Sequence, residues 1–352
     1  MKPLTHGTWG AEERNAAKAV IDSGNTTMGR KVAEFEERYA DYCGTRYCVA
    51  VNSGSSANLL MVAAYTLRHG PGKVVVPAVG WATSYSPFAQ YGWQMIFCDV
   101  DRETLNYDTR ALWGAVVDCD ADVILAINLL GNPNDYDAFP RKAQILEDNC
   151  EAMGAVYGGR RTGSFGVMAS HSTFYSHHIC TMEGGLITTD DEDYYHTLLS
   201  LRSHGWTRHL PEKNRLRAKP DKFSFILPGY NVRPTEIQGA IGVEQMKKLP
   251  GFIAQRRDNA ARFPLKTQRE IGQSSWYGFA VFDDDMDKVS GLYETRPIVT
   301  GNFLRQPVIT HYAHVVYGKT RNADFIHDHG CMIGNSHLPA DWSDLEDRRA
   351  AA

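Results

Sequence analysis

The stretch STFYSHHICTMEGGL, residues 172–186, sets two imidazoles side by side, His177 and His178, ahead of a Glu-Gly-Gly and an apolar run. Imidazole takes and gives a proton near neutral pH, so a histidine here could serve as a general base. On an extended chain neighbouring side chains point to opposite faces, so only one of the pair should reach a given site. A metal reading of His171, His177 and His178 lacks a helical H-x-x-x-H spacing and a supporting cysteine set, and no metal is expected. Three other stretches carry chemistry of their own. In VNSGSSANLL (51–60), Gly54 permits a tight turn and Ser55-Ser56 open a helix, an arrangement that can seat a phosphate or simply cap a helix. In VPAVGWATSYSP (76–87), Trp81 ends an apolar run, placed to stack on a flat heterocycle or to fill a core. In ILEDNCEAMG (145–154), acids close an apolar strand. A buried carboxylate needs a partner, whether a protonated pyridine nitrogen, a helix N-terminus or a basic side chain.

These residues need a scaffold, and the pattern around them supplies one. Residues 11–23 and 31–43 read as helices stopped by Gly24 and Gly44. Short apolar runs at 47–52, 73–78, 94–101, 122–130 and 144–149 read as strands, with helical periods between them, the first at 55–70. That rhythm predicts an α/β fold, a mostly parallel central sheet with helices on both faces, whose ligands sit at the carboxyl ends of the strands. The rhythm changes near residue 250. A basic helix at 252–263 leads to an apolar run at 275–282 and then to irregular sequence. The expected division is a large domain over 1–250 and a smaller C-terminal α+β domain over 251–352.

Composition narrows the class. A chain of 352 residues with 43% hydrophobic and 22% charged residues is expected to be a soluble globular protein. The net charge of −4 and scattered basic residues give no nucleic-acid surface. No apolar run is long enough to span a bilayer, and no signal-peptide pattern opens the chain, so no membrane contact and a cytoplasmic location are expected. The 7 cysteines form no C-x-x-C pair, and none lies between Thr181 and Pro250. That spacing suits reduced thiols and offers no iron–sulfur cluster after the histidine pair.

Taken in order and spacing, the motifs resemble the sugar-modifying branch of the fold-type-I, pyridoxal-phosphate-dependent aminotransferases. The resemblance runs from Thr27-Met28-Gly29 to GYNVRPTEIQGAIGVEQMKKL (229–249). It implies that Gly54, Ser55, Ser56 and Ser172 hold the cofactor phosphate, that Trp81 stacks on the pyridine ring, and that Asp148 pairs with the ring nitrogen. Glu151 falls where most members have a glutamine near the ring hydroxyl. Asn231 matches an asparagine that reaches the partner subunit's phosphate, because such enzymes are homodimers with shared active sites. Met28, Gly29, His178 and Arg296 are further candidates to approach the substrate, with His178 read first as a structural histidine. The loop 202–217, rich in basic residues, is a candidate for a diphosphate or a solvated surface.

One departure sets the expected chemistry. The family's cofactor-tethering lysine belongs at His177, and only Lys142 lies between Lys73 and Lys213. A His-His pair in this frame resembles the sugar 3-dehydratases of 3,6-dideoxyhexose synthesis, one of which acts on GDP-4-keto-6-deoxymannose. The resemblance implies an untethered pyridoxamine phosphate that loses a proton to His177 as the sugar's C3 hydroxyl departs. Glutamate then regenerates the amine and ammonia is released, in deoxysugar and O-antigen synthesis. The alternatives are an aminotransferase-like protein lacking its lysine and a non-catalytic paralogue subunit.

Overall fold

The computed structural model describes residues 1–208, 210, 223–283 and 285–351. Helices α1 (Ala11–Ser23) and α2 (Arg30–Cys43) end where Gly24 and Gly44 turn left-handed, at φ 70° and 81°. Strand β1 (Tyr47–Val51) feeds α3 (Gly54–His69), β2 (Lys73–Pro77) feeds α4 (Ala82–Gln90), and β3 (Gln94–Cys98) feeds α5 (Thr109–Asp118). The carboxylate of Asp108 opens α5 by accepting the Arg110 and Ala111 amides. Strands β4 (Val123–Ile127) and β5 (Gln144–Asp148) follow, then a small hairpin of β6 (Val156–Tyr157) and β7 (Arg160–Arg161). Strands β8 (Met168–Ser172) and β9 (Gly185–Thr189) flank the histidine pair, and α6 (Glu192–Arg202) completes this half.

Among the described residues the main sheet has eight strands in the order β1-β9-β8-β5-β4-β2-β3-β12, where β12 is His314–Val316. Only β9 runs antiparallel to its neighbours. Every residue of β4 is buried, as expected for a strand covered by helices on both faces.

Beyond α6 the structure is more regular than the sequence pattern suggests. Helix α7 (Glu236–Ala261) is 26 residues long, opens on a Thr235–Gln238 capping box, and runs through Pro250. The basic helix expected to begin at 252 is its second half, and the expected division at 250/251 falls inside it. Strand β10 (Gly278–Phe282) pairs with β13 (Gly330–Gly334), which also pairs with β11 (Thr295–Pro297), all antiparallel. Helices α8 (Asp285–Val289), α9 (Arg321–His329) and α10 (Ser343–Ala351) accompany this small sheet. Its core is aromatic: Phe263 stacks on Phe279 with centroids 4.2 Å apart, and Trp342 meets both edge-on. The stretch expected to be irregular therefore holds ordered short strands, and one of them, β12, returns to the edge of the main sheet beside β3.

Candidate active site

The carboxyl ends of β1, β2, β5 and β8 converge on a cavity of about 320 Å³. Helix α3 begins at its wall. Ser53 is the N-cap and accepts the Ser56 amide at 3.0 Å, and the first intrahelical bond runs from Ala57 to Ser53. The amides of Gly54 and Ser55 precede that bond, which leaves them for an anion at the positive end of the helix. The Ser55 hydroxyl donates to Thr83 Oγ1 at 3.0 Å and ties this wall to α4. Gly54 is required by a close approach. A Cβ there would lie 2.7 Å from Ser172 Cβ and 2.9 Å from its Oγ. Gly185 faces a similar limit, since a Cβ on it would come within 2.2 Å of the Ser53 carbonyl oxygen.

Trp81, the N-cap of α4, is 53% exposed on the rim. Asp148 ends β5 on the floor. Its Oδ2 accepts the Asn58 amide at 2.9 Å and the Ser84 hydroxyl at 2.6 Å, and its Oδ1 accepts the Cys150 amide at 3.1 Å. Glu147, one residue earlier, points to the other face of the sheet and is fully buried. Its four acceptances come from Tyr136 OH at 2.7 Å and the amides of Gly163, Phe165 and Gly166 at 2.8, 2.6 and 2.7 Å. Glu151 lines the cavity, accepts the Leu130 amide at 2.9 Å, and has its carboxyl raised by burial.

His177 and His178 do not lie on an extended chain, as the sequence pattern suggests, but in a turn closed by the His177 amide on the Phe174 carbonyl at 3.0 Å. They diverge all the same. His177 lines the cavity with Ser176 and Tyr277; its ring lies 5.3 Å from that of Tyr277, and its Nδ1 has no hydrogen-bond partner. Burial pushes this imidazole down to about 4, with Arg296 and Arg256 adding to the effect, so it is neutral at pH 7. His178 is fully buried behind it, with Nε2 3.2 Å from the Ser275 carbonyl oxygen. His171 is engaged at both nitrogens, by Tyr39 at 2.8 Å and Thr188 at 3.0 Å. Among the described residues no group of three potential ligands is placed to hold a metal.

The cavity thus gathers Gly54, Ser55, Trp81, Asp148, Glu151, Ser172, His177 and Arg296, the last from β11. Ser56 stands behind the wall, its amide spent on the cap. Met28 and Gly29 do not reach the cavity. Met28 packs against the core between α2 and α7, and Gly29 donates to Glu236 Oε2 at 2.7 Å as the N-cap of α2. Asn231 is exposed and accepts from Arg233 at 3.0 Å, away from this chain's own cavity. Within the basic loop 202–217, Arg202 is buried and paired with Glu36 at 2.5 Å, so it does not await a diphosphate. Position 209 and positions 211–217 of that loop lie outside the described residues. Lys142 is at the opposite, amino end of the central strands, just before β5, and pairs with Asp120. Sequence reasoning missed Asn58, Ser84 and Tyr277. The signal for Asn58 was present, a polar residue on the buried face of an otherwise apolar helix.

The neutral histidines also make the fold sensitive to acid. His171 is pushed down to about 3 and His177 to about 4, both chiefly by burial, and His178 lies well below 6.5. The unfolded chain binds more protons than the folded one between those values and the ordinary 6.5. Their stability is complete above about pH 6.5 and lost as pH falls, at up to about 1.4 kcal/mol per pH unit for each group. Urea midpoints measured from pH 7.5 to 4.5 are expected to hold level and then fall below pH 6.5. A midpoint unchanged to pH 4.5 would contradict the burial of these rings as neutral groups.

A doubly wound sheet whose strand ends carry a helix N-terminus, an exposed indole, a buried carboxylate and an imidazole in a loop defines a class, and the family model agrees. The DegT/DnrJ/EryC1/StrS aminotransferase family matches residues 8–313, and the chain belongs to it. Within the family it is similar to the GDP-4-keto-6-deoxy-D-mannose 3-dehydratase of Yersinia pseudotuberculosis, at 44% identity over 96% of this chain and 94% of that one. The fold matches the crystal structure of GDP-4-keto-6-deoxymannose-3-dehydratase with a trapped PLP-glutamate geminal diamine, with a TM-score of 0.93, 42% identity and 99% of both chains covered. A histidine-to-asparagine mutant of that enzyme with bound GDP-perosamine matches equally, at 42% identity, a TM-score of 0.93 and 99% of both chains.

Proposed function

We propose that the protein removes the C3 hydroxyl of GDP-4-keto-6-deoxymannose by pyridoxamine-phosphate chemistry, with glutamate as the source of the amine. The observation that carries the reading is His177, an imidazole held neutral in a cavity whose described lining contains no lysine. The cavity suits a flat phosphorylated ring: the amides of Gly54 and Ser55 at the start of α3, packed beside Ser172, suit a phosphate, and the Asp148 carboxylate suits a ring nitrogen. When bound, the cofactor supplies an amine for the sugar's 4-keto group and a ring that accepts electrons.

The chain's own residues do the rest. The Gly54 and Ser55 amides and the Ser172 hydroxyl hold the phosphate, and Trp81 covers a ring face. Asp148 orients the ring through its nitrogen. Neutral His177 takes a proton at a ring nitrogen and returns it, and without a primary amine it cannot tether the cofactor. Glu151 and Arg296 bound the space left for the sugar. Overall, the C3–O bond breaks, glutamate is oxidised to its 2-oxoacid, and one ammonia leaves per sugar. We further infer a cytoplasmic homodimer in which the partner subunit's Asn231 completes the phosphate site. The exposed Phe174, Tyr175 and Met182 around the histidine loop support a covering partner, and the seven free cysteines support a reducing compartment. No helix among the described residues is long and apolar enough to cross a membrane.

The test is to incubate the protein with pyridoxal phosphate, glutamate and GDP-4-keto-6-deoxymannose and weigh the sugar. Net loss of one oxygen with stoichiometric ammonia is expected. A keto oxygen exchanged for an amine would make this a lysine-free aminotransferase instead. The phosphate seat has its own test. Gly54→Ala should weaken cofactor binding by about tenfold or more, since overpacking costs of order 1–3 kcal/mol. Equilibrium dialysis with pyridoxal phosphate measures it, and an unchanged affinity would remove Gly54 from the seat.

A further inference from the structure

We propose that Asn58 and Ser84 are positioning residues that clamp Asp148, acting through its carboxylate on the cofactor's ring nitrogen. The inference rests on the reading that Asp148 meets that nitrogen, and it adds what holds Asp148 there. Asn58 stands on the second turn of α3 and Ser84 on the first turn of α4, the two helices that begin at the cavity wall. Both are almost fully buried, at 3% and 2% exposure, yet both line the cavity. Their donors converge on one oxygen, Oδ2, at 2.9 and 2.6 Å. Hydrogen bonds to an ionised acceptor are the stronger kind, and two of them from different helices fix the rotation of the carboxylate. Asn58 is itself fixed, because its carbonyl accepts the Ser170 hydroxyl at 2.6 Å, which settles its amide orientation with the NH₂ toward Asp148. The chain Ser170, Asn58, Asp148 thus spans β8, α3 and β5. With Oδ2 taken twice, Oδ1, which accepts the Cys150 amide at 3.1 Å, has a lone pair left for a partner in the cavity.

The alternative is that the two donors merely satisfy a buried charge. A role in folding alone would lower stability without changing the state of the ring. A positioning role changes the ring nitrogen in protein that remains folded.

The experiment loads the full-length protein with pyridoxal phosphate labelled with ¹⁵N in the ring and records the nitrogen signal. Wild type, Ser84→Ala, Ser84→Thr and the double variant Asn58→Ala/Ser84→Ala are compared, with Asp148→Asn as the reference for a ring that has lost its partner. Ser84→Ala removes one small hydroxyl and keeps the test open should the double variant fail to fold. The clamp requires the ring signal of Ser84→Ala, and more so of the double variant, to move from the wild-type position toward that of Asp148→Asn. It also requires kcat for the sugar to fall by about 10- to 100-fold in the double variant, with KM within about threefold. Ser84→Thr, which keeps the hydroxyl, should restore the wild-type signal. A ring signal unmoved in Ser84→Ala and the double variant, with kcat within about threefold, overturns the clamp. If instead Asp148→Asn matches wild type, the failure lies with Asp148 as the ring's partner, and the clamp falls with it.

Discussion

His177→Asn is expected to lower the rate of C3 deoxygenation by about a thousandfold, within the range that a positioned general base contributes. Asparagine is polar, close to imidazole in reach and unable to take a proton at neutral pH. The substitution therefore removes proton transfer while leaving the loop and the packing against Tyr277 largely in place. Cofactor affinity should stay within about threefold, because the proposed phosphate and ring contacts come from α3, α4, β5 and β8 and not from residue 177. Ammonia release under single-turnover conditions gives the rate, and dialysis with pyridoxal phosphate gives the affinity. A variant retaining more than about a tenth of the wild-type rate would show that another group moves the proton. With its own pKa near 4, His177 should also keep kcat/KM level from about pH 5.5 to 8, with no step at the ordinary histidine value.

The largest effect on stability is expected one residue before the floor carboxylate. Glu147 is fully buried and accepts from one phenol and three backbone amides. Glu147→Ala leaves four donors without an acceptor and a void beneath β5, at an expected cost of about 3–5 kcal/mol. Glu147→Gln should cost nearly as much despite its shape, since its NH₂ must face donors on one side. Urea unfolding measures both. A Gln variant within about 1 kcal/mol of wild type would mean that the amides around Glu147 find other acceptors.

The contrast between Glu147 and Asp148 shows how far the sequence could be read. Two acids at the end of an apolar strand were visible, and so was the need to pair them; the residues alone did not say which faced the cavity, the resemblance picked Asp148, and β5 turns Glu147 to the other face. The first 150 residues were legible because their strands are continuous apolar runs and their early helices stop at glycines. The C-terminal third was less so. β11 and β12 are three residues each, too short for periodicity to register, and their partners lie far away in the chain. Asn58 and Ser84 escaped for a related reason. They meet Asp148 across 90 and 64 positions, a relation that exists only once α3 and α4 have packed against the sheet. The position of His177 was legible because Ser172 and Glu183 frame it. Met28 and Gly29 stand outside this chain's own cavity, and resemblance aligns residues without saying whose cavity they face.

The antiparallel strand β9 turns the histidine segment into the tip of a hairpin. Ser172 pairs with Gly185 at its base, Thr173 and Gly184 share a backbone bond at 2.9 Å, and the Thr173 and Thr181 hydroxyls meet at 2.5 Å. The fastening is made by the stem and by backbone groups, whereas the side chain at 177 projects into the cavity. Identity at that position is therefore nearly independent of what keeps the hairpin folded. A lineage can exchange the reacting group in a single substitution, without crossing a valley of unfolded intermediates. The scaffold is evolvable because the bonds that close this hairpin and the side chain at its tip reside in different atoms.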